Sequence, residues 1–251
     1  MSQSINRKNI LLLFCAILFV KWGMAGLPPV KDGDDCKSII SNLYKNFSFT
    51  QLPAPGKAYI IDMTLTTSYA AYLNSPPVST FLRIELTDSY YSYENDFMNI
   101  YMDKQDLFYV NHQNKSIVKT SSTWEALKDQ QMGDLFTLRD SIFERFEVKE
   151  CLSIKDDDGK TSLRRIKIET TDEEAENIGI KSIDYTINEA TGLPKKIEIK
   201  YDKDKEVEKA IYEFKYIDFN AKSSNRTALS FITDKKGNLL TKYQNYKFFN
   251  N

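Results

Sequence analysis

Few side chains in this sequence have the type and spacing that catalysis needs. The single histidine, His112, lies in the string Asn111-His112-Gln113-Asn114. A catalytic triad or a zinc site would pair it with cysteine or carboxylate partners, and none stands near it at such a spacing. An exposed turn histidine is the expected reading. Asp156-Asp157-Asp158-Gly159 looks like a fragment of a calcium loop. An EF-hand requires acids at alternate positions, then a glycine and a final glutamate at set places, and this segment lacks that spacing. It predicts a hairpin turn instead. With nine glycines in all, the chain holds no G-x-G-x-x-G, no P-loop and no G-x-S-x-G. Its 35 acidic residues would allow a two-carboxylate hydrolase, yet no pair is singled out. The sequence therefore predicts a protein that is not an enzyme, with no metal and no cofactor.

The cysteines offer structural chemistry. Cys36 and Cys151 can pair in an oxidising compartment, or stay as two buried thiols that pack as small hydrophobes. A bridge depends on a Cα separation that sequence does not report, so both readings stand. Cys15 is different: Phe14 precedes it and Ala16, Ile17 and Leu18 continue an apolar run. That is not the small-residue context of lipid attachment. Asn46, Asn114 and Asn225 each open an Asn-x-Ser/Thr triplet; in a chain rich in Asn and Ser these read as chance matches.

The remaining signal is apolar. Fifteen Tyr and fifteen Phe are spread along the chain, and Met63, Met98 and Met102 stand among Leu and Ile. Methionine repacks around irregular shapes, so a strand face lined with it suits a greasy ligand. Leu82, Ile84, Leu86, Met98, Ile100 and Met102 are the expected wall of an apolar cavity. Plain core packing is the competing account, since most apolar strand residues are core.

Elements must position these residues in a compartment. Arg7 and Lys8, the apolar run Ile10 to Val20 and the small residues Gly23 to Gly26 have the order of a secretory signal. The run stops at Lys21, short of the roughly 20 apolar residues that cross a bilayer. Cleavage is expected near Ala25, placing the mature protein in a periplasm or outside the cell. Removal of residues 1–25 leaves 31 Lys and Arg against 35 Asp and Glu, a net charge of −4. Such a balance offers no basic excess for phosphates, so nucleic acid is excluded as a partner.

Residues 26–33, with Pro28 and Pro29, read as a tether. Asp32, Asp34 or Asp35 can then cap a helix whose apolar stripe is Cys36, Ile39, Ile40, Leu43, Tyr44 and Phe47. From Lys57 the period changes to two. Tyr59, Ile61, Met63 and Leu65 alternate with other residues, as do Leu82, Ile84 and Leu86 after Pro76-Pro77. Short runs follow at Tyr91 and Tyr93, Met98 to Met102, Phe108 to Val110 and Ile117 to Val118. Breaks such as Thr87-Asp88-Ser89 and Asp103 to Asp106 argue for an antiparallel meander. Trp124 to Phe146 lacks period-two order and suits one or two helices broken near Gly133. Strands are expected again at Cys151 to Ile154, Leu163 to Ile168, Lys181 to Asn188, Lys195 to Tyr201 and Lys209 to Phe219. Leu229 to Ile232 and Leu239 to Tyr246 are expected to finish the sheet.

That order of elements resembles the periplasmic lipoprotein-carrier family (the LolA/LolB-like family). Two stretches carry the resemblance: Asp103-Lys104-Gln105-Asp106-Leu107-Phe108-Tyr109-Val110-Asn111 with Lys115 to Val118, and Ile183 to Ile187 followed by Thr191-Gly192-Leu193-Pro194-Lys195-Lys196-Ile197 and Tyr212 to Ile217. The resemblance implies an incomplete β-barrel closed by helices over an apolar cavity. It also implies an arginine holding a closed state, with Arg83 the nearest by strand position. The expected fold class is α+β: a curved antiparallel sheet, covered by the N-terminal helix and a mid-chain helical insertion, in a single domain over residues 34–251. The expected function is an exported binding protein that holds a lipid or acyl chain, in lipid or lipoprotein transfer. The alternative is a cell-envelope structural or assembly protein with a filled core and envelope proteins as partners.

Overall fold

The structure is a computed structural model and describes residues 35–46, 52–122, 124, 145–171, 173, 178–203 and 205–250. The signal and tether expected over residues 1–33 lie outside these, as does most of the helical insertion expected between Trp124 and Phe146.

One α-helix, α1 (Cys36–Asn46), opens the described chain. Asp35 caps it by accepting from the Ser38 amide at 3.3 Å, satisfying one of the donors a helix start leaves free. Its stripe of Cys36, Ile39, Ile40 and Leu43 is buried.

Twelve strands follow: β1 (Lys57–Tyr69), β2 (Val78–Thr87), β3 (Tyr90–Asn95), β4 (Met98–Asp103), β5 (Asp106–Asn111), β6 (Ser116–Ser121), β7 (Glu147–Lys155), β8 (Ser162–Glu169), β9 (Ile180–Asn188), β10 (Pro194–Tyr201), β11 (Val207–Lys222) and β12 (Lys247–Asn250). They form one open sheet in the order β12-β6-β5-β4-β3-β2-β1-β11-β10-β9-β8-β7. Two antiparallel meanders, β1 to β6 and β7 to β11, are thus joined where the long strands β1 and β11 pair. That pairing carries three register shifts, and such bulges bend a strand and increase its twist.

The tight turns are built by short polar side chains, which mimic backbone acceptors. Thr87 Oγ1 accepts from the Ser89 and Tyr90 amides, Asn95 Oδ1 from Phe97 and Met98, Asp103 Oδ1 from Gln105 and Asp106, and Asn188 Oδ1 from Ala190 and Thr191. Asp158 does the same for Lys160 and Thr161. The Asp156 to Gly159 string is therefore the β7–β8 turn, with Gly159 at φ +67°.

Two apolar clusters occupy opposite faces of the sheet, because neighbouring strand residues point to opposite sides. The larger gathers α1, Trp124, Phe146 and one face of β1 to β4 and β8 to β11. The smaller gathers the other face of β3 to β6, through Tyr90, Tyr101, Phe108, Val110 and Ile117, with Ala228, Phe231, Ile232 and Tyr243.

The C-terminal region corrects the sequence reading twice. Leu229 to Ile232 and Leu239 to Tyr246 are not ladder strands; short 3-10 helices stand at Ala228–Phe231 and Thr241–Tyr243, linked by an isolated bridge between Thr233 and Leu239. The Thr227 hydroxyl and the Ser230 hydroxyl form a reciprocal capping box there. β11 ends near the sheet centre, so the chain must cross the β3–β6 face to reach its next partner. A segment lying across a sheet buries a stripe and has no ladder to join. The final strand β12 then pairs with β6 in parallel, so the sheet is not wholly antiparallel.

Candidate ligand-binding face

Strand register assembles the large apolar face row by row. Tyr59, Leu86, Tyr91, Met102 and Leu107 are successive cross-strand partners from β1 to β5. Ile61, Ile84, Tyr93 and Ile100 form the next row, and Met63, Leu82 and Asn95 the one after. Beyond β1 a further row runs through Leu65, Tyr212, Ile197, Tyr185, Ile166 and Cys151. Directly opposed residues on one face have Cβ atoms about 5 Å apart, so each row is a continuous strip of contact.

The six residues expected to line a cavity fall on this face. Leu82, Ile84 and Leu86 come from β2, Met98, Ile100 and Met102 from β4, and the β3 residues Tyr91 and Tyr93 stand between them. Leu82, Ile84, Leu86 and Met102 are at most 4% exposed, whereas Met98 and Ile100 are half-buried. The wall is covered at β2 and less covered towards β4.

Cys36 and Cys151 are joined as a disulfide, with their Cα atoms 6.3 Å apart across 115 positions of sequence. The bond ties the first turn of α1 to β7 at one edge of the sheet. An eleven-residue helix is about 16 Å long, while twelve strands at about 4.8 Å spacing extend over roughly 50 Å. α1 can therefore cover only part of this face.

Three buried polar atoms distinguish the face. The hydroxyls of Tyr59 and Tyr91 and the indole N–H of Trp124 have no hydrogen-bond partner among the described residues, and all three side chains are at most 6% exposed. Desolvation raises the pKa of both phenols, so they stay protonated and can donate. Tyr93, in the adjacent row, accepts from Asn95 Nδ2 at 2.8 Å. A buried donor without a partner costs about 1–3 kcal/mol. This site accordingly offers an apolar surface with O–H and N–H groups suited to an oxygen acceptor. Period-two alternation marks Tyr59 and Tyr91 as inward-facing but carries no signal for their missing partners.

Other residues of the sequence reading are placed elsewhere. Arg83 alternates with Leu82 and Ile84 and faces the opposite side, where its guanidinium binds Asp62 at 3.0 Å. The Asp62 carboxyl is raised by desolvation, with Arg83 opposing that shift. Arg83 therefore holds β1 to β2 and does not reach the apolar face. His112 is a half-buried partner of the C-terminal segment rather than an exposed turn residue, its Nδ1 lying 2.9 Å from the Tyr246 hydroxyl. Among the described residues no group of three or more His, Cys, Asp or Glu is arranged to hold a metal ion.

No family model matches the chain, and no curated protein matches it. Solved structures similar to it include an uncharacterized conserved protein from Thermus thermophilus, at TM-score 0.37 and 8% identity over 78% of this chain and 92% of that one. A LolA superfamily protein from Nitrosomonas europaea is similar at TM-score 0.28 and 9% identity, over 74% and 94%. The MucA/MucB complex of Pseudomonas aeruginosa gives TM-score 0.31 and 10% identity, over 74% and 59%.

Proposed function

We propose that the protein is exported, with removal of residues 1–25, and holds a lipid or acyl chain passively against the large apolar face in a periplasm or outside the cell. The observation that supports this is the set of three buried donors, Tyr59 Oη, Tyr91 Oη and Trp124 Nε1, that have no partner among the described residues and stand in a largely apolar interior. An acyl ester or acid supplies what they lack: a carbonyl oxygen to accept and methylenes to lie along the Leu86, Met102, Ile84 and Ile100 rows. Each methylene removed from water contributes about 0.8 kcal/mol, so eight of them contribute about 6 kcal/mol. No bond is made or broken, and the residues act by position alone.

A second reading, a cell-envelope structural or assembly protein with a filled core and protein partners, is favoured by the near-complete burial of Leu82, Ile84, Leu86 and Met102. Native mass spectrometry of protein purified after export separates the two readings. The carrier reading expects co-purified lipid, or uptake of a fluorescent fatty acid that weakens in Tyr59→Phe and Tyr91→Phe. A lipid-free protein that takes up no fatty acid leaves the filled core.

A further inference from the structure

Between Asp62 and Arg83 stand twenty consecutive residues, Met63 to Leu82, without one Asp, Glu, Lys or Arg, in a chain that is 27% charged. They form the outer half of β1, a connection with a 3-10 helix at Ala71–Leu73, and the first half of β2. Towards its tip this hairpin carries apolar side chains outward, while Met63 and Leu82 at its inner end are buried. Tyr72 is 64% and Phe81 46% exposed, and Leu73 and Val78 are exposed beside them. Phe97 of the β3–β4 turn is exposed as well, and that turn reaches the hairpin, because the Phe81 amide donates to Asp96 at 3.4 Å. The charged β10–β11 turn stands beside the outer end of β1, where the tip begins: the Ala70 amide donates to the Glu206 carbonyl at 2.9 Å, and Lys209 pairs with Ser68.

Part of the main chain of the tip is bonded within it. The Leu73 and Asn74 amides donate to the Ala70 and Ala71 carbonyls, and the Ser75 hydroxyl donates to the Leu73 carbonyl. Pro76 and Pro77 have no N–H to satisfy. Thr66 and Ser79 bond each other across the hairpin at 2.8 Å.

We infer that this hairpin tip is a membrane-contact element that inserts Tyr72, Leu73 and Val78 into the interfacial region of a phospholipid bilayer, with Phe81 and Phe97 at its margin. Three features favour a bilayer over a protein partner. A protein interface is depleted of charge only at its core and keeps a polar rim, whereas a buried charge at membrane depth costs about 2.5–3.5 kcal/mol, and the charge-free stretch runs through the outer part of both hairpin arms and the connection between them. The two bonded amides and the two prolines leave fewer bare N–H groups for the tip to desolvate. Tyrosine with aliphatic neighbours is the composition of the membrane–water boundary. Among the described residues no helix is long and apolar enough to cross a membrane. The inference does not depend on the proposed function.

The test uses protein purified after export and large unilamellar vesicles of phosphatidylcholine. Tyr72→Trp should give an emission that shifts to the blue on adding vesicles and is quenched by brominated acyl chains, against the parent protein as the control for Trp124. Leu73→Asp with Phe81→Asp should reduce vesicle co-flotation at least ten-fold while circular dichroism and the urea-unfolding midpoint stay unchanged, since both side chains are exposed. Salt should not release the parent protein from these neutral vesicles. The inference is overturned if the parent protein does not float with them, or if the double variant floats equally well. It is also overturned if the substitutions instead dissociate a dimer seen by sedimentation, which would assign the tip to a second copy of the chain.

Discussion

The two apolar clusters lie on opposite faces of one sheet and treat their buried polar atoms in opposite ways. On the smaller, C-terminal side, Tyr101 donates to Glu94 at 2.7 Å, shares a 3.1 Å contact with the Tyr243 hydroxyl and accepts from Asn99 at 2.9 Å. Tyr90 bonds Glu85 and Ser224, and the Ala228 amide donates to Asp103. Phe231 stacks on Tyr101 with ring centroids 4.5 Å apart. On the larger face, Tyr59, Tyr91 and Trp124 each bury a polar atom with no partner among the described residues. A permanent core satisfies its polar groups, because each one left bare costs stability at all times. The contrast separates a face closed by its own chain from a face that carries donors to spare.

The largest effect expected from breaking this contrast is loss of the disulfide. Cys36→Ala with Cys151→Ala opens a loop spanning 115 positions, and loop-closure entropy puts the cost at about 4–5 kcal/mol. Urea unfolding of the double variant should show that loss, and amide exchange should rise first in α1, leaving the C-terminal side protected. Next comes Phe231→Ala, which empties a buried aromatic site between Tyr90 and Tyr101. It should cost about 3–5 kcal/mol and release residues 228–246 to exchange while α1 stays protected. Equal loosening of both sides in either variant would show that the two clusters are one cooperative unit.

A sharper comparison uses one substitution on both faces. Tyr101→Phe leaves Asn99, Glu94 and Tyr243 short of a partner and should cost about 1–3 kcal/mol. Tyr91→Phe removes a hydroxyl that has no partner, so the ligand-free protein should be equally stable or more stable. With a bound acyl ligand the sign for Tyr91→Phe should reverse, because the ligand then loses a donor. Paired denaturation curves, with and without a fluorescent fatty acid, report both signs. A destabilised, ligand-free Tyr91→Phe would mean that its hydroxyl has a structural partner.

Much of the larger face was legible in the sequence, because alternation reports which side of a strand a residue faces. Tyr59, Ile61 and Met63, then Leu82, Ile84 and Leu86, declare a buried side by period alone, and Cys36, Ile39, Ile40 and Leu43 declare one side of α1. What alternation lacks is partners. It puts Arg83 on a strand but not against Asp62, and it shows Tyr91 and Tyr93 pointing inward without showing that only Tyr93 meets an Asn. The C-terminal side misled for a related reason. Leu229 to Ile232 and Leu239 to Tyr246 have the apolar content of strands, but content does not distinguish a segment in a ladder from one lying across it. The wide separation of Cys36 and Cys151 likewise hides a proximity that only the folded sheet creates.

The smallest expected effect is one of pH, and it too separates the faces. Burial lowers the His112 pKa, the Lys242 ammonium lowers it further, and Glu94 and Asp96 partly oppose them. A histidine with a depressed folded pKa takes up its proton more readily once released. The stability it lends is present above its ordinary value of 6.5 and is lost as the pH falls through that range. Between about pH 8 and pH 5 the contact of His112 with Tyr246 should therefore weaken, and exchange should rise over residues 239–250 ahead of any change in α1. The larger face should not respond over that interval, because its buried phenols titrate only in alkali. Tyr93 is pushed up to about 12, so the stability of its neutral form is complete below pH 10 and is lost only as the pH climbs beyond it. Acid should thus loosen the C-terminal side first, and His112→Asn should abolish that acid response while leaving the alkaline one in place.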